Sequence, residues 1–197
     1  MTLLEARVEV ALDATTRNDV RRDLRAHLAD FAGVRLVVTH DPVDAAVLAE
    51  RVVVLDGGRV VQEGTPAEIT ARPRSPWVAD LAGTNLFAGT SGPAGIAVDG
   101  GGSLIATAAA PRGAVFASVH PRAVTMHGSQ PSGSARNAWR GRIASIEPVG
   151  DRLRVRVDGE PPIVAEVTPA AADELQLAEG TSVWVSVKAT EIDVYPA

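Results

Sequence analysis

The stretch LVVTHDPVDAAVLAERVVVLDGGRVVQEGTPAEI, residues 36–69, contains the signals that decide the fold of the first part of the chain. Its first residues belong to VRLVVT (34–39), an almost continuous apolar run rich in β-branched residues. This run predicts a strand buried on both faces of an α/β sheet. The run ends at His40. Asp41 and Pro42 then predict the start of a helix, because Asp is favoured at the helix N-cap and proline in the first turn.

The remainder of the stretch predicts a β-hairpin and a short helix. RVVVLD (51–56) and RVVQEG (59–64) are β runs on either side of an Asp-Gly-Gly turn, which is a strong local hairpin signal. Residues 65–68, Thr-Pro-Ala-Glu, place a capping residue, a first-turn proline and a reciprocal Glu at the spacing that begins a helix. Upstream, residues 16–31 predict a further helix, because apolar side chains recur there at helical spacing. This alternation of helices and strands predicts an α/β fold.

A different pattern begins after Gly83. Short alternating β runs replace helical periodicity, as in RLRVRV (152–157) and SVWVSV (182–187), where every second side chain is apolar. Short strands separated by turn signals predict a small β-barrel of the OB type. We therefore predict an α/β part followed by an all-β part, with domain ranges 1–84, 85–127 (a linker and first β segment) and 128–197.

The composition limits the classes of function. With 46% hydrophobic and 22% charged residues the chain is typical of a soluble globular protein, and its net charge of -5 argues against a nucleic-acid partner, because phosphate binding needs a basic face. The absence of cysteine excludes disulfides and thiolate metal sites. No apolar stretch reaches the roughly 18 residues that a membrane-spanning helix needs. We expect no direct membrane insertion, so any membrane association would go through a protein partner.

The first part of the chain resembles the end of an ABC-type ATPase domain, from its D-loop onward. The resemblance lies in ALDA (11–14), the helix after it and residues 36–69. It corresponds to the C-terminal half of a P-loop NTPase domain. The resemblance implies His40 as the switch histidine that contacts the γ-phosphate, and Asp13 as the D-loop aspartate at the interface of two ATPase subunits. A side chain at the carboxyl end of a parallel strand lies in the ligand crevice, where a histidine can hydrogen-bond an anionic oxygen. A structural histidine and a helix-capping aspartate are the alternatives.

Several parts of a complete ATPase are missing from the sequence. It contains no GxxxxGK[ST] phosphate loop, and Ala6 and Arg7 occupy the positions where the family has an Asp-Glu pair for Mg²⁺ and water activation. Phosphoryl transfer needs a phosphate cradle, a metal ion and a positioned nucleophile. We therefore expect this chain alone to be inactive as an ATPase, with ATP and Mg²⁺ bound only in a complete ATPase. We interpret the chain as an N-terminally truncated or split product.

The β region resembles the TOBE/Mop modules that follow such ATPases. FASVHPRAV (116–124) matches one of their strands, with His120 and Arg122 in place of the usual Arg and Glu. GSARNAWRGRI (133–143) and VAEVTPAAADELQLAEGTSVWVSVKATEI (164–192) resemble molybdate-binding Mop modules more specifically. This resemblance implies seven anion-binding candidates, namely Ser134, Ala135, Arg136, Asn137, Thr168, Lys188 and Ala189.

These residue types suit a tetrahedral dianion such as molybdate or tungstate. A hydroxyl, successive turn N–H groups and a cation can satisfy its oxygens, and Lys, a compact point charge, suits such a site better than the planar fork of Arg. Lys188 is the only lysine among the 19 basic residues. The alternative is that Arg136 and Asn137 only form a turn, and that Lys188 lies on a solvated strand face.

Together the two resemblances imply the C-terminal portion of the ATP-binding subunit of an ABC-type molybdate importer, with an oxyanion-binding regulatory module. One expected partner is the importer's membrane permease, which would hold the protein at the cytoplasmic face of the cell membrane. The other is a second copy of the chain, in a homodimer through the β module, because one full module is predicted and a dianion needs donors from two. Two alternatives stay open: a free-standing cytosolic molybdate-binding protein with a vestigial ATPase remnant, and an active ATPase whose missing parts lie on a separate chain.

Overall fold

The chain divides by its internal contacts into two compact units, the first ending at Ala71 and the second beginning at Arg72. The computed structural model describes residues 14–107 and 110–197, without the side chains of residues 14–18 and Pro42. Among the described residues the first unit contains three helices and one hairpin, and the second contains two helices and ten strands. The predicted order of an α/β part followed by a β part is confirmed.

Two helices of the first unit are joined through an arginine. α1 covers Ala14–Asp30 and α2 covers Pro42–Leu48, as the sequence predicts. Asp41 is the N-cap of α2, and its carboxylate accepts hydrogen bonds from two backbone N–H groups of the first turn. The Arg21 guanidinium of α1 contacts both carboxylates at the start of α2, with Nη2 2.6 Å from Asp41 Oδ2 and Nε bonded to Asp44.

The predicted hairpin and short helix are also confirmed. β1 (Val52–Asp56) pairs with the antiparallel β2 (Arg59–Gly64), and α3 covers Pro66–Ala71. Thr65 and Glu68 form a capping box at the start of α3: Thr65 N donates to Glu68 Oε2 at 2.8 Å, and Glu68 N donates to Thr65 Oγ1 at 3.3 Å. The hydrogen bonds from the backbone and hydroxyl of Thr65 lower the pKa of Glu68.

The predicted buried strand at residues 34–39 is wrong. The segment forms no strand and is exposed, with Val34, Leu36 and Val38 at 78%, 69% and 90% of full accessibility. A strand needs neighbours that pair its N–H and C=O groups. In the described part of the first unit, strands occur only in the hairpin, where β1 and β2 pair with each other. An apolar run in a sequence indicates a strand, but it does not show that another strand lies beside it to pair with.

The second unit begins with a short helix, and a tyrosine hydroxyl forms a hydrogen bond to the segment before that helix. α4 covers Pro76–Ala82, begins at the N-cap Ser75 and ends at Gly83, which adopts the left-handed conformation. Tyr195 is buried, and its hydroxyl donates to the backbone carbonyl of Pro73 at 2.6 Å. Burial raises the pKa of Tyr195 to about 12. The hydrogen bond ties the end of the chain to the segment that leads into α4.

Ten strands of the second unit form two five-stranded antiparallel sheets. The strands cover Asn85–Gly92 (β3), Gly95–Val98 (β4), Ser103–Leu104 (β5), Gly113–Val119 (β6), Thr125–His127 (β7), Asn137–Val149 (β8), Arg152–Asp158 (β9), Ile163–Val167 (β10), Ser182–Val187 (β11) and Asp193–Pro196 (β12). The first sheet has the order β12-β6-β3-β4-β5, and the second has the order β10-β9-β8-β11-β7. α5, Pro169–Glu174, connects β10 to β11, and 3-10 turns at Pro121–Ala123 and Ala189–Glu191 precede β7 and β12.

The contact boundary between the units lies earlier than the predicted domain boundary at residue 84. α4 contacts β3, so this helix belongs with the β part although its sequence has helical character. The predicted division into ranges 1–84, 85–127 and 128–197 stays a prediction.

The two sheets repeat one strand plan. In each, a long strand begins a three-stranded meander (β3 to β5, and β8 to β10), and a fourth strand returns beside the first one (β6 on β3, and β11 on β8). A 3-10 turn then leads to a short last strand, which pairs in the other sheet: β7 with β11, and β12 with β6. The sequence predicts one full module, whereas the structure contains two copies of the plan joined by exchanged strands.

Both sheets contribute to one hydrophobic core. Its fully buried members include Leu104 and Val115 from the first sheet and Val155, Val157 and Val185 from the second. The two copies of the strand plan, β3 to β7 and β8 to β12, are the two halves of the unit. Because the last strand of each half is paired in the other sheet, neither half has a complete set of strands of its own. We therefore regard the whole second unit as the structural module.

Gly89 on β3 marks a close approach of two backbones. A Cβ at this position would lie 2.3 Å from the carbonyl oxygen of Ala97 on β4, whereas a Cβ at Gly92 of the same strand would meet nothing within 4 Å. We expect Gly89→Ala to lower the free energy of unfolding by about 1–3 kcal/mol, because the two strands must separate. We expect the matched Gly92→Ala to change it by less than about 0.5 kcal/mol. Urea unfolding of the full chain measures both, and equal losses would contradict the tight β3–β4 approach.

Candidate anion-binding site

The turn before β8 and the end of β11 lie side by side. The antiparallel register pairs Asn137 with Val187, so the chain enters β8 at the point where it leaves β11. The turn Ser134–Arg136 and the pair Lys188–Ala189 therefore extend from the same end of these two strands. All of the predicted anion-binding residues except Thr168 thus lie at, or next to, these two paired strand ends.

Three side chains at this end of the strands are open to a ligand. Ser134, Arg136 and Lys188 are exposed, and none of them makes a hydrogen bond or an ion pair to the described part of the chain. A hydroxyl, a guanidinium and an ammonium all donate hydrogen bonds, and two of these groups carry a positive charge. Such a set of donors is suited to an anion with several oxygens.

Asn137 differs from its neighbours because its side chain is already fully engaged. It is 4% exposed, and its Nδ2 donates to the carbonyl oxygens of Ile105 at 2.9 Å and Val187 at 3.2 Å. Its Oδ1 accepts a hydrogen bond from Ile105 N at 2.6 Å. Because both amide hydrogens are committed to backbone groups, the side chain has no free donor to offer an anion.

Thr168 lies at the opposite end of the second sheet. It follows β10, where Val167 pairs with Leu153, and Leu153 in turn pairs with Pro148 near the end of β8. The Ser134–Arg136 turn instead precedes the start of β8, which is 13 residues long. Thr168 is exposed and caps α5, with Oγ1 accepting from Ala171 N at 3.2 Å. Its hydroxyl hydrogen stays available to another group.

A buried carboxylate with two arginines lies in the same unit and was not among the residues predicted from the sequence. The Glu166 side chain is 6% exposed and accepts hydrogen bonds at 3.1 Å from both Arg154 and Arg122. Burial alone would raise the pKa of Glu166, but the hydrogen bonds and charges of the two arginines outweigh it and lower the pKa. The signal available in the sequence is the cross-strand pair of Glu166 and Arg154, visible only once the β9–β10 register is known.

The predicted nucleotide contacts are not assembled in the described part of the first unit. His40 is exposed and follows a segment that forms no strand, so the strand-end crevice expected around it is absent there. The neighbouring Thr39 Oγ1 instead accepts a hydrogen bond from Asp41 N at 2.9 Å. Asp13 lies outside the described residues. The roles of His40 and Asp13 stay predictions.

The described residues contain no group of three or more His, Cys, Asp or Glu side chains that could hold a metal ion. None of their helices is both long enough and apolar enough to cross a membrane.

Comparison with known sequences identifies a domain in the second unit. Residues 133–194 match the family model of the TOBE domain. The molybdenum import ATP-binding protein ModC of Mycobacterium tuberculosis is 35% identical over 194 residues, which cover 94% of this chain and 53% of that protein. The sulfate/thiosulfate import ATP-binding protein CysA 2 of Chromobacterium violaceum is 30% identical over 190 residues, which cover 94% of this chain and 52% of that protein.

Among solved structures, the cytoplasmic molybdate-binding protein ModG with molybdate bound is 26% identical to this chain, with a TM-score of 0.48. The similarity covers 57% of this chain and 96% of that protein. The chain spans about half the length of the curated relatives that it matches.

Proposed function

We propose that the chain binds a tetrahedral oxyanion, molybdate or tungstate, on behalf of an importer. The proposal starts from the relation of the chain to the ATP-binding proteins of ABC importers and from its TOBE domain at residues 133–194. In this proposal it is the C-terminal portion of an ATP-binding subunit, and its second unit is the regulatory, anion-binding part. The name of the mycobacterial relative supports molybdate as the anion.

One observation supports the proposal: the β8–β11 register pairs Asn137 with Val187, so Lys188 directly follows the strand end that the Ser134–Arg136 turn precedes. The only lysine of the chain thus follows one of two paired strand ends, and the turn that precedes the other carries the side chains of Ser134 and Arg136, which make no hydrogen bond or ion pair to the described residues. An ammonium, a hydroxyl and turn N–H groups can each take one oxygen of a dianion, and hydrogen bonds to charged groups contribute roughly 1.5–3 kcal/mol each. The site needs no metal ion and no carboxylate for this chemistry.

The position of Thr168 favours a site built by two copies of the chain. A dianion removed from water needs most of its oxygens satisfied, and the turn with Lys188 supplies donors on one side only. Thr168, exposed at the far end of the sheet, can complete the site of a neighbouring copy but not that of its own chain. A two-fold dimer would use this contact twice, because the turn of each copy would then meet Thr168 of the other. We propose a homodimer through the β part as the binding form.

The second proposed partner is the membrane permease of the importer, which would hold the protein at the cytoplasmic face of the membrane. This partner follows from the import ATP-binding relatives. A free-standing molybdate-binding protein, the alternative function, would bind the anion in the same way but would not bind a permease. Co-purification with the permease separates these two functions.

We expect the full chain to bind molybdate, and Lys188→Ala to weaken binding by about 1–3 kcal/mol, or roughly five- to 150-fold in Kd. Ser134→Ala should weaken it less, because a neutral hydroxyl contributes less than an ammonium. Isothermal titration calorimetry with molybdate measures all three proteins.

Arg156→Ala is the matched control for charge. Arg156 is an exposed cation of the same sheet and makes no hydrogen bond or ion pair to the described residues, and it lies on β9 rather than at the turn. We expect this variant to bind as wild type does, and circular dichroism to show the same fold for every variant. No binding by the wild type at about millimolar molybdate, or equal binding by wild type and Lys188→Ala, would refute the proposed site.

We also expect the full chain to show no ATP turnover above background and no Mg²⁺-dependent ATP binding. The sequence has no phosphate loop with its lysine, and His40 is exposed beside a segment without strand partners. Phosphate release and calorimetric titration with Mg-ATP measure the two quantities. Micromolar ATP binding that is lost in His40→Ala would contradict this expectation and would favour a functional nucleotide site.

A further inference from the structure

Two buried asparagines make the same set of hydrogen bonds in the two halves of the second unit. Asn137 of β8 donates from Nδ2 to Val187 O at 3.2 Å and to Ile105 O at 2.9 Å, and accepts from Ile105 N at 2.6 Å. Asn85 of β3 donates from Nδ2 to Val119 O at 3.2 Å and to Val164 O at 2.9 Å. The Oδ1 of Asn85 accepts from Val164 N at 2.7 Å.

Each asparagine connects its own sheet to the edge of the other. Asn85 belongs to the first sheet and holds Val164 on β10, the edge strand of the second sheet. Asn137 belongs to the second sheet and holds Ile105, which directly follows β5, the edge strand of the first sheet. We call each set of three hydrogen bonds from a buried asparagine a clamp. Only a side-chain amide of this length offers two donors and an acceptor at once, so alanine and aspartate cannot reproduce the clamp.

The two clamps occupy equivalent positions in the strand plan but have different neighbours. Asn85 pairs with Val119, the last residue of β6, and Asn137 pairs with Val187, the last residue of β11. The residue after Val119 is His120, whereas the residue after Val187 is Lys188. Only the clamp at Asn137 therefore lies at the turn and the lysine of the proposed anion site.

We infer that Asn137 is a positioning residue for the anion site rather than a ligand of the anion. Its clamp fixes the start of β8 against both the end of β11 and Ile105. The turn donors before Asn137 and the ammonium after Val187 are thereby held at one separation, and the first half of the unit becomes part of the support of the site. This inference rests on the proposed function, because it assigns a role within the same site.

The test compares Asn137→Ala with the matched Asn85→Ala in the full chain. Both variants remove three equivalent hydrogen bonds from a buried asparagine, so we expect urea unfolding to show similar losses of stability. We expect Asn137→Ala to weaken molybdate binding by about tenfold or more, and Asn85→Ala to change it by less than about threefold. If Asn137→Ala does not fold, Asn137→Ser, which retains a small polar side chain, takes its place in the same comparison.

A double-mutant cycle with Lys188→Ala distinguishes positioning from a general loss of structure. If Asn137 acts by holding the turn beside Lys188, the double variant should lose less affinity than the sum of the single losses, because the contact being positioned is already gone. Additive losses, molybdate binding by Asn137→Ala within about threefold of wild type, or an equal loss in Asn85→Ala would overturn the inference. A wild-type chain that binds no molybdate would instead refute the proposed function, and this inference with it.

Discussion

The antiparallel ladder between β8 and β11 is the interaction on which both the second sheet and its candidate site depend. Its register, with Asn137 opposite Val187, joins the strand that begins the meander to the strand that returns from α5. Because successive residues of a strand point to opposite faces, a shift of one residue would turn Val183, Val185 and Val187 out of the core. The apolar residues of β11 therefore fix the register, and the register sets Lys188 directly after the strand end that pairs with the start of β8.

The exchange of last strands makes the two halves of the second unit depend on each other. β7 lies at the edge of the second sheet on β11, and β12 lies at the edge of the first sheet on β6. An isolated segment of residues 128–197 would lack β7 and would leave β12 without its partner. The ion pairs of Glu166 add a second connection, because they join Arg122, in the turn before β7, to Arg154 on β9. A site at the start of β8 is thus supported by residues from both halves.

Features that depend on a few neighbouring residues could be predicted from the sequence. The hairpin at residues 51–64, the N-cap at Asp41 and the capping box at Thr65 all follow from local residue types, and the structure contains each of them. The strand predicted at residues 34–39 failed because an apolar run does not reveal whether strands lie beside it. Local residue types indicate single helices, strands and turns, whereas the fold also depends on which strands pair with each other.

The candidate site shows the same limit. The turn and Lys188 could be predicted to belong together through the resemblance to Mop modules, and the β8–β11 register is consistent with that grouping. The engaged amide of Asn137 and the remote position of Thr168 could not be predicted, because both depend on contacts between distant segments. The second copy of the strand plan was also missed, since the buried positions of β3 are Asn, Phe, Gly and Ser, which give little apolar alternation, and β7 pairs in the other sheet.

In the proposed function, the anion binds between the Ser134–Arg136 turn with Lys188 of one copy and Thr168 of another. Crystals of the full chain grown with molybdate, with diffraction measured on both sides of the molybdenum absorption edge, would locate the metal directly. We predict an anomalous peak within hydrogen-bonding reach of the turn and Lys188, with Thr168 of a neighbouring copy on its other side. A peak at a different place, or no peak at the turn in crystals saturated with molybdate, would contradict it.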